Sequence, residues 1–309
     1  MQADSANFMG LAGAIAAYVL WGVMPLYWHL MAAVDSVDIL AHRIVWSFAF
    51  IVMLLALQGR LSATISRTCA VFSKKQRKTA ALVAAASLFA SANWLINILG
   101  VNTGRVVELG LGTFLTPLAT VAIGIVIFGE RVSKIRAAAL AVAALGVAAL
   151  VTGLDRFPSI ALSVSATWAT YGALKKKVTL APMESVALEH ALMLPFALAW
   201  LFLSKDGAAI SLFAEGFSSG ISLVLIGTGL VTSIPMILFS LAAQRLPLSI
   251  LGIIQFVSPV LTLLLGVFVF GEPLSGAEAA ALFCVATAAV LYAASARSHA
   301  AKKTPPAAR

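Results

Sequence analysis

An apolar run over residues 38–58 contains two adjacent polar side chains, His42 and Arg43. A second run, 79–100, carries Asn93 and Asn97, and a third, 105–128, carries Glu108 near its start. Asn93 and Asn97 are four residues apart and so share one face of a helix. Imidazole titrates near neutral pH, a guanidinium grips a carboxylate with two hydrogen bonds, and an ionisable group inside hydrocarbon normally faces a partner or a water-filled cavity. The expected arrangement is an Arg43–Glu108 pair completed by His42, Asn93 and Asn97, at one level in the bilayer, suited to a proton or to an anionic or zwitterionic solute. The same residues also admit a structural ion pair with asparagines gluing helices together, or an arginine snorkelling to the headgroups.

Other side chains extend this set. Glu189 and His190 stand together in the run 184–204 and are a candidate inner gate, although the nearby Lys175 to Lys177 run offers Glu189 a plain partner at the interface. Trp21, Trp94, Trp168 and Tyr171 lie deeper than the interfacial belt where membrane tryptophans concentrate. They are expected either to line a central cavity or to pack the core. Gln255 sits in the middle of 247–270, where a buried amide needs a hydrogen-bond partner, so it is a candidate solute contact or a lock between helices. Pro117 and Pro259 each remove a helical hydrogen bond and are a candidate pair of hinges.

The elements that position these groups follow from composition. The chain is 61% hydrophobic and 11% charged, with mean hydropathy +1.01, against about 25% charged residues in a soluble domain. Ten segments are long and apolar enough to span a bilayer: 9–31, 38–58, 79–100, 105–128, 133–152, 158–174, 184–204, 218–240, 247–270 and 276–296. Their continuous Ala/Leu-rich character excludes a β-barrel. The fold class is therefore an all-α integral membrane protein. Of its 21 Lys and Arg residues, seventeen fall in one alternate set of loops and the C-terminal tail and three in the other set. The positive-inside rule then places both termini in the cytoplasm. The net charge of +9 expresses this bias and calls for no nucleic-acid partner.

Residues 105–133 overlay 247–275 at a constant offset, matching Gly110, Phe114, Pro117, Thr120, Gly124, Phe128, Gly129, Glu130 and Ser133 with Gly252, Phe256, Pro259, Thr262, Gly266, Phe270, Gly271, Glu272 and Ser275. The two copies lie an odd number of spans apart, so they point in opposite directions. Two inverted five-helix repeats, 1–153 and 154–309, are expected, an architecture common among carriers. Glu130 and Glu272 are expected to cap the helices that directly follow them.

Other function classes lack their signatures. There is no His-Glu-x-x-His, no G-x-S-x-G and no Walker-type phosphate loop, and the histidines lie at different depths, unlike a haem site. No cofactor or metal is expected. Cys69 and Cys284 lie on distant elements, where neither a disulfide nor a metal site is expected. The first apolar run has no basic n-region ahead of it and is expected to be an uncleaved helix. The expected partners are a small-molecule solute, the lipid bilayer and, through Glu108, His42 and Glu189, protons. A monomer is the default, with the small residues between Ala137 and Thr152 leaving room for close helix contact in the chain or across a dimer.

Trp21-Gly22, His42-Arg43-Ile44-Val45-Trp46-Ser47, Asn93-Trp94-Leu95, Glu108, Gln255-Phe256 and the repeated Gly-Glu endings resemble the EamA branch of the drug/metabolite transporter superfamily, and within it the RarD subfamily. The resemblance covers nearly the whole chain. It implies a bacterial inner-membrane carrier of small solutes, built as an inverted repeat and working by alternating access.

Overall fold

The structure is a computed structural model that describes residues 2–31, 34–103, 105–151, 157–204, 220–271 and most of 276–291. Among the described residues all regular structure is helical. Helices α1 (Gln2–His29), α2 (Ser36–Leu57), α3 (Leu61–Val71), α4 (Arg77–Asn102), α5 (Val106–Phe128), α6 (Lys134–Val151), α7 (Ser159–Lys177), α8 (Pro182–Leu203) and α9 (Gly220–Arg245) are followed by α10 (Leu248–Gln255) and α11 (Val257–Phe268). Apolar helical residues also occur between Ala279 and Ala288. Seven helical stretches are long and apolar enough to cross a membrane. Glu272 and Ser275 of the sequence repeat, Gly153 at the expected join, and the basic tail lie outside the described residues.

Two features depart from the sequence reading. Helix α3 occupies a stretch expected to be loop; it mixes Ser, Thr and Arg with apolar side chains and buries only Thr64 and Val71, seven residues apart and hence on one face. Hydropathy cannot register so short a stripe. The expected span 247–270 is interrupted, because α10 stops at Gln255 and α11 starts at Val257, two residues before Pro259, whose ring has no N–H to continue the ladder.

The helices pack closely where glycine removes the side chain from a crossing. Helix α2 lies against α9 at Gly229, where a Cβ would fall 2.3 Å from the Trp46 carbonyl oxygen. Ser47 Oγ donates to the Gly229 carbonyl at 3.4 Å beside this contact. Helix α1 crosses α11 at Gly22, where a Cβ would fall 2.7 Å from Leu261 Cβ, and Thr262 Oγ1 donates to the Gly22 carbonyl at 3.2 Å. Helix α10 meets α5 at Gly252, where a Cβ would fall 2.8 Å from the Pro117 carbonyl oxygen. Gly229→Ala must therefore push two backbones apart. The expected loss is about 1–3 kcal/mol, read as a lowered midpoint in thermal unfolding of the detergent-purified protein.

Candidate substrate-binding cavity

Four helices turn a polar or aromatic stripe toward one space. On α1 the stripe is Tyr18, Trp21, Met24 and Trp28, and on α2 it is Ser36, Ile39, Leu40 and Arg43. Helix α4 gives Asn93, Trp94 and Asn97, and α5 gives Thr113, Thr116 and Pro117. These spacings of three and four residues keep each set on a single helical face. Val164 and Trp168 of α7, Gln255 of α10, and Ser258 and Pro259 of α11 complete the wall of a cavity of about 370 Å³. It runs from the α1–α2 end of the molecule, at Trp28 and Ser36, to Tyr18 in mid-protein. Ten residues of α1 separate Tyr18 from Trp28, a depth of about 15 Å.

Arg43 is the one formal charge in this wall, and no Asp or Glu is among the described lining residues. Its guanidinium is packed between two indoles, with Cζ 4.7 Å from the ring centre of Trp28 and 5.1 Å from that of Trp94. Its Nε donates to Thr232 Oγ1 at 3.2 Å. The expected Arg43–Glu108 pair does not form. Glu108 Oε2 instead meets Arg105 Nη2 at 2.6 Å, while Oε1 accepts the backbone N–H groups of Ile160 at 2.6 Å and Ala161 at 3.4 Å. Glu108 and Pro117 are nine residues apart, two and a half turns of helix, so with Pro117 facing the cavity Glu108 points away from it and onto the start of α7. His42 is buried and stands outside the cavity wall.

The asparagines are held as well as exposed to the cavity. Asn93 Nδ2 donates to the Val164 carbonyl at 2.9 Å and to Thr167 Oγ1 at 3.0 Å, joining α4 to α7. Asn97 Nδ2 donates back to the Asn93 carbonyl at 2.7 Å. Gln255 lines the cavity and bridges three helices. Its Oε1 accepts from Thr120 Oγ1 at 2.8 Å, and its Nε2 donates to the Tyr18 hydroxyl at 2.7 Å. Gln255→Leu strips both partners of this link in a buried setting. The expected cost is roughly 1–3 kcal/mol, visible as a lower thermal midpoint.

An aromatic layer closes the deep end. Trp21 meets Trp168 edge-on at 5.3 Å, Trp168 lies 5.1 Å from Tyr171, and Tyr171 stacks on Phe239 at 5.6 Å. Tyr171 is thus beneath the cavity and not on its wall. Its hydroxyl donates to Glu189 Oε2 at 2.9 Å, and Glu189 is ion-paired with Lys175. Ser185 accepts from Lys175 Nζ at 2.6 Å and donates to Glu189 Oε1 at 2.8 Å. The lysine is wholly buried, so this pair lies inside the protein and not at its surface. His190 donates from Nδ1 to the Val186 carbonyl at 2.8 Å and stands behind Trp94, ring centres 6.3 Å apart. Glu189 and His190 therefore flank the cavity without lining it.

Nearer that end the polar contacts continue. Lys176 Nζ donates to the Leu246 carbonyl at 2.6 Å, and Gln244 Nε2 to the Leu180 carbonyl at 3.0 Å. Glu130 does not cap α6, which follows it; there Ser133 Oγ accepts the Arg136 N–H at 3.4 Å. The two carboxylate oxygens of Glu130 accept the N–H groups of Leu248 and Ser249, each at 2.7 Å, and so cap α10. Helices α7 and α10 both begin just after a proline, Pro158 or Pro247, that offers no side-chain cap. The two ends of α5 supply the missing acceptors.

Tyr18, Trp28 and Thr232 are site residues that the sequence reading passed over. Trp28 was accessible to it, since seven residues from Trp21 is the same face of α1. Thr232 carried no signal, being one hydroxyl among several in an apolar helix.

Helices long and apolar enough to cross a membrane, packed around a polar and aromatic cavity, are the plan of a membrane transporter. Residues 158–294 match the model of the EamA-like transporter family. The chain is 38% identical to the protein RarD of Streptomyces exfoliatus, over 88% of this chain and 84% of that one. It is 34% identical to the uncharacterized transporter YojE of Bacillus subtilis (92% and 93%) and 32% identical to the protein RarD of Escherichia coli K12 (85% and 86%). A crystal structure with 20% sequence identity shares the fold at a TM-score of 0.70, covering 95% of this chain and 98% of its own. The protein belongs to the EamA-like transporter family, on its RarD-type branch.

Proposed function

We propose that the protein is a secondary carrier in a bacterial inner membrane that moves small amphiphilic or zwitterionic solutes, amino acids and related metabolites or drugs among them, by alternating access. The observation that carries this reading is Arg43, which faces the cavity between two indoles with no carboxylate among the described wall residues. A guanidinium so placed takes a carboxylate or similar anion by paired charge-assisted hydrogen bonds. Trp21, Trp94 and Trp168 supply an apolar bed for the rest of the solute. In this reading both termini are cytoplasmic, the segments 1–153 and 154–309 are the inverted repeats, and the cavity opens outward. The aromatic layer and the Lys175, Lys176 and Gln244 contacts then close the cytoplasmic side, with Glu189 and His190 at the inner gate and Pro117 and Pro259 as hinges.

Glu108, His42 and Glu189 lie off the cavity wall, which favours facilitated exchange or uniport over direct proton antiport at the solute site. Flux into proteoliposomes tests both points. A panel of zwitterionic and anionic amphiphiles should give saturable uptake that is accelerated by unlabelled solute on the far side and only weakly altered by an imposed pH gradient. Absence of saturable flux for every solute would remove the carrier reading, and strict dependence on the gradient would restore proton antiport.

A further inference from the structure

The two prolines of the cavity wall leave backbone carbonyls open as well as bending helices. Proline has no N–H, so the carbonyl four residues before it loses its helical donor. For Pro117 that carbonyl belongs to Thr113, and for Pro259 to Gln255. All four residues line the cavity, and residues four apart share a face, so each open carbonyl sits between two residues of the wall. At Gln255 the helix is also broken, since α10 ends there and α11 begins at Val257. Two side-chain donors of the same turns are engaged elsewhere. Thr113 Oγ1 donates to the Leu109 carbonyl at 3.1 Å and Gln255 Nε2 to Tyr18 at 2.7 Å. Helices α5 and α10 touch at Gly252, against the Pro117 carbonyl, and are joined again by Thr120 and Gln255. Pro117 and Pro259 are equivalent positions of the sequence repeat, so the pair is built once and used twice.

We infer that the Thr113 and Gln255 carbonyls form an ammonium subsite, which receives the protonated amine of a solute whose carboxylate is held by Arg43. The inference rests on the reading of the cavity as the solute site. Two open carbonyls at helix interruptions give partial negative charge without a carboxylate, so the wall keeps the single positive charge of Arg43. A zwitterion satisfies both poles. A carboxylate lacking the amine leaves the carbonyls without donors, and an amine lacking the carboxylate meets Arg43 unscreened. A site that hydrogen-bonds a polar group rejects analogues missing it far more strongly than a pocket rejects a change in apolar size.

Three probes of one shape separate the poles: leucine, its deaminated analogue isocaproate, and its decarboxylated analogue isoamylamine. Binding to the purified full-length protein is read from quenching of tryptophan fluorescence, in potassium and in sodium buffer. The expected order is leucine, isocaproate, isoamylamine, with leucine ahead of isocaproate by about tenfold or more, the effect of one charge-assisted hydrogen bond. Pro259→Ala and Pro117→Ala restore an N–H to Gln255 and Thr113 respectively. Each is expected to cut the leucine-over-isocaproate ratio severalfold, the two affinities being compared within the same variant. If isocaproate binds wild type as tightly as leucine, or if leucine gains only through a sodium requirement, the ammonium subsite is overturned. Both of those outcomes are read from wild type alone and hold even where a proline variant fails to fold. Isocaproate binding that is equal in wild type and Arg43→Gln would instead overturn the reading of the cavity on which the subsite rests.

Discussion

Arg43→Gln is expected to lower the affinity for carboxylate-bearing solutes by at least about tenfold, the effect of losing a hydrogen-bonded charge contact, while thermal stability changes little. Glutamine keeps most of the length and can still reach Thr232, which Arg43 Nε contacts at 3.2 Å. It cannot present a charge between Trp28 and Trp94. Arg43→Lys sharpens the test, because it keeps the charge but loses the planar fork and its stacking on indole. An affinity between those of wild type and Arg43→Gln is expected for Arg43→Lys. Titration of isocaproate against all three proteins gives the comparison. Equal affinities would make Arg43 a helix-packing residue, with its stack on Trp28 and Trp94 serving only to hold α2 against α1 and α4.

The second large effect is expected at Lys175 and Glu189. Both are buried below the aromatic layer, in a network that includes Ser185 and Tyr171. Removing one member of a buried ion pair strands the other charge in a poorly polarisable medium, at a cost of about 3–5 kcal/mol. Lys175→Met and Glu189→Gln should each lower the thermal midpoint sharply. The double variant Lys175→Met/Glu189→Met, which strands neither charge, should regain most of the loss, so that the double-mutant cycle shows strong coupling. Additive losses in the double variant would mean that the two side chains contribute through packing alone.

The sequence displayed the all-helical character plainly, because long continuous apolar runs are not those of a β-barrel. It also pointed to nearly half of the described cavity wall: Trp21, Arg43, Asn93, Trp94, Asn97, Trp168, Gln255, Pro117 and Pro259 all line it. What it conveyed was depth along the bilayer normal, read from position in a run. It conveyed direction around each helix far less well. His42 and Arg43 share a depth, but adjacent residues point about 100° apart, since a turn takes 3.6 residues; only Arg43 faces the cavity. Glu108, read from the sequence at that same depth, points to α7. Lys175 was hidden for a different reason. It opens a run of three lysines that reads as a solvated helix end, and only the packing of α7 against its neighbours shows that the first of the three is enclosed, while Lys176 is half-buried on the Leu246 carbonyl and Lys177 is exposed.

The caps at the two ends of α5 have a consequence for how the chain is assembled. The starts of α7 and α10 each depend on a carboxylate made much earlier in synthesis, Glu108 for Ile160 and Ala161 and Glu130 for Leu248 and Ser249. Helix α5 is therefore a template whose acceptors wait in place for later helices to dock, and closing these contacts spans 52 and 118 residues of chain. A polypeptide cut between α6 and α7 would leave the leading fragment with two carboxylates lacking these amides. The trailing fragment would have two helix starts with bare N–H groups. Neither piece is complete in the bilayer until it meets the other, so co-produced fragments should recover each other through α5, and a leading fragment made alone should be cleared by quality control.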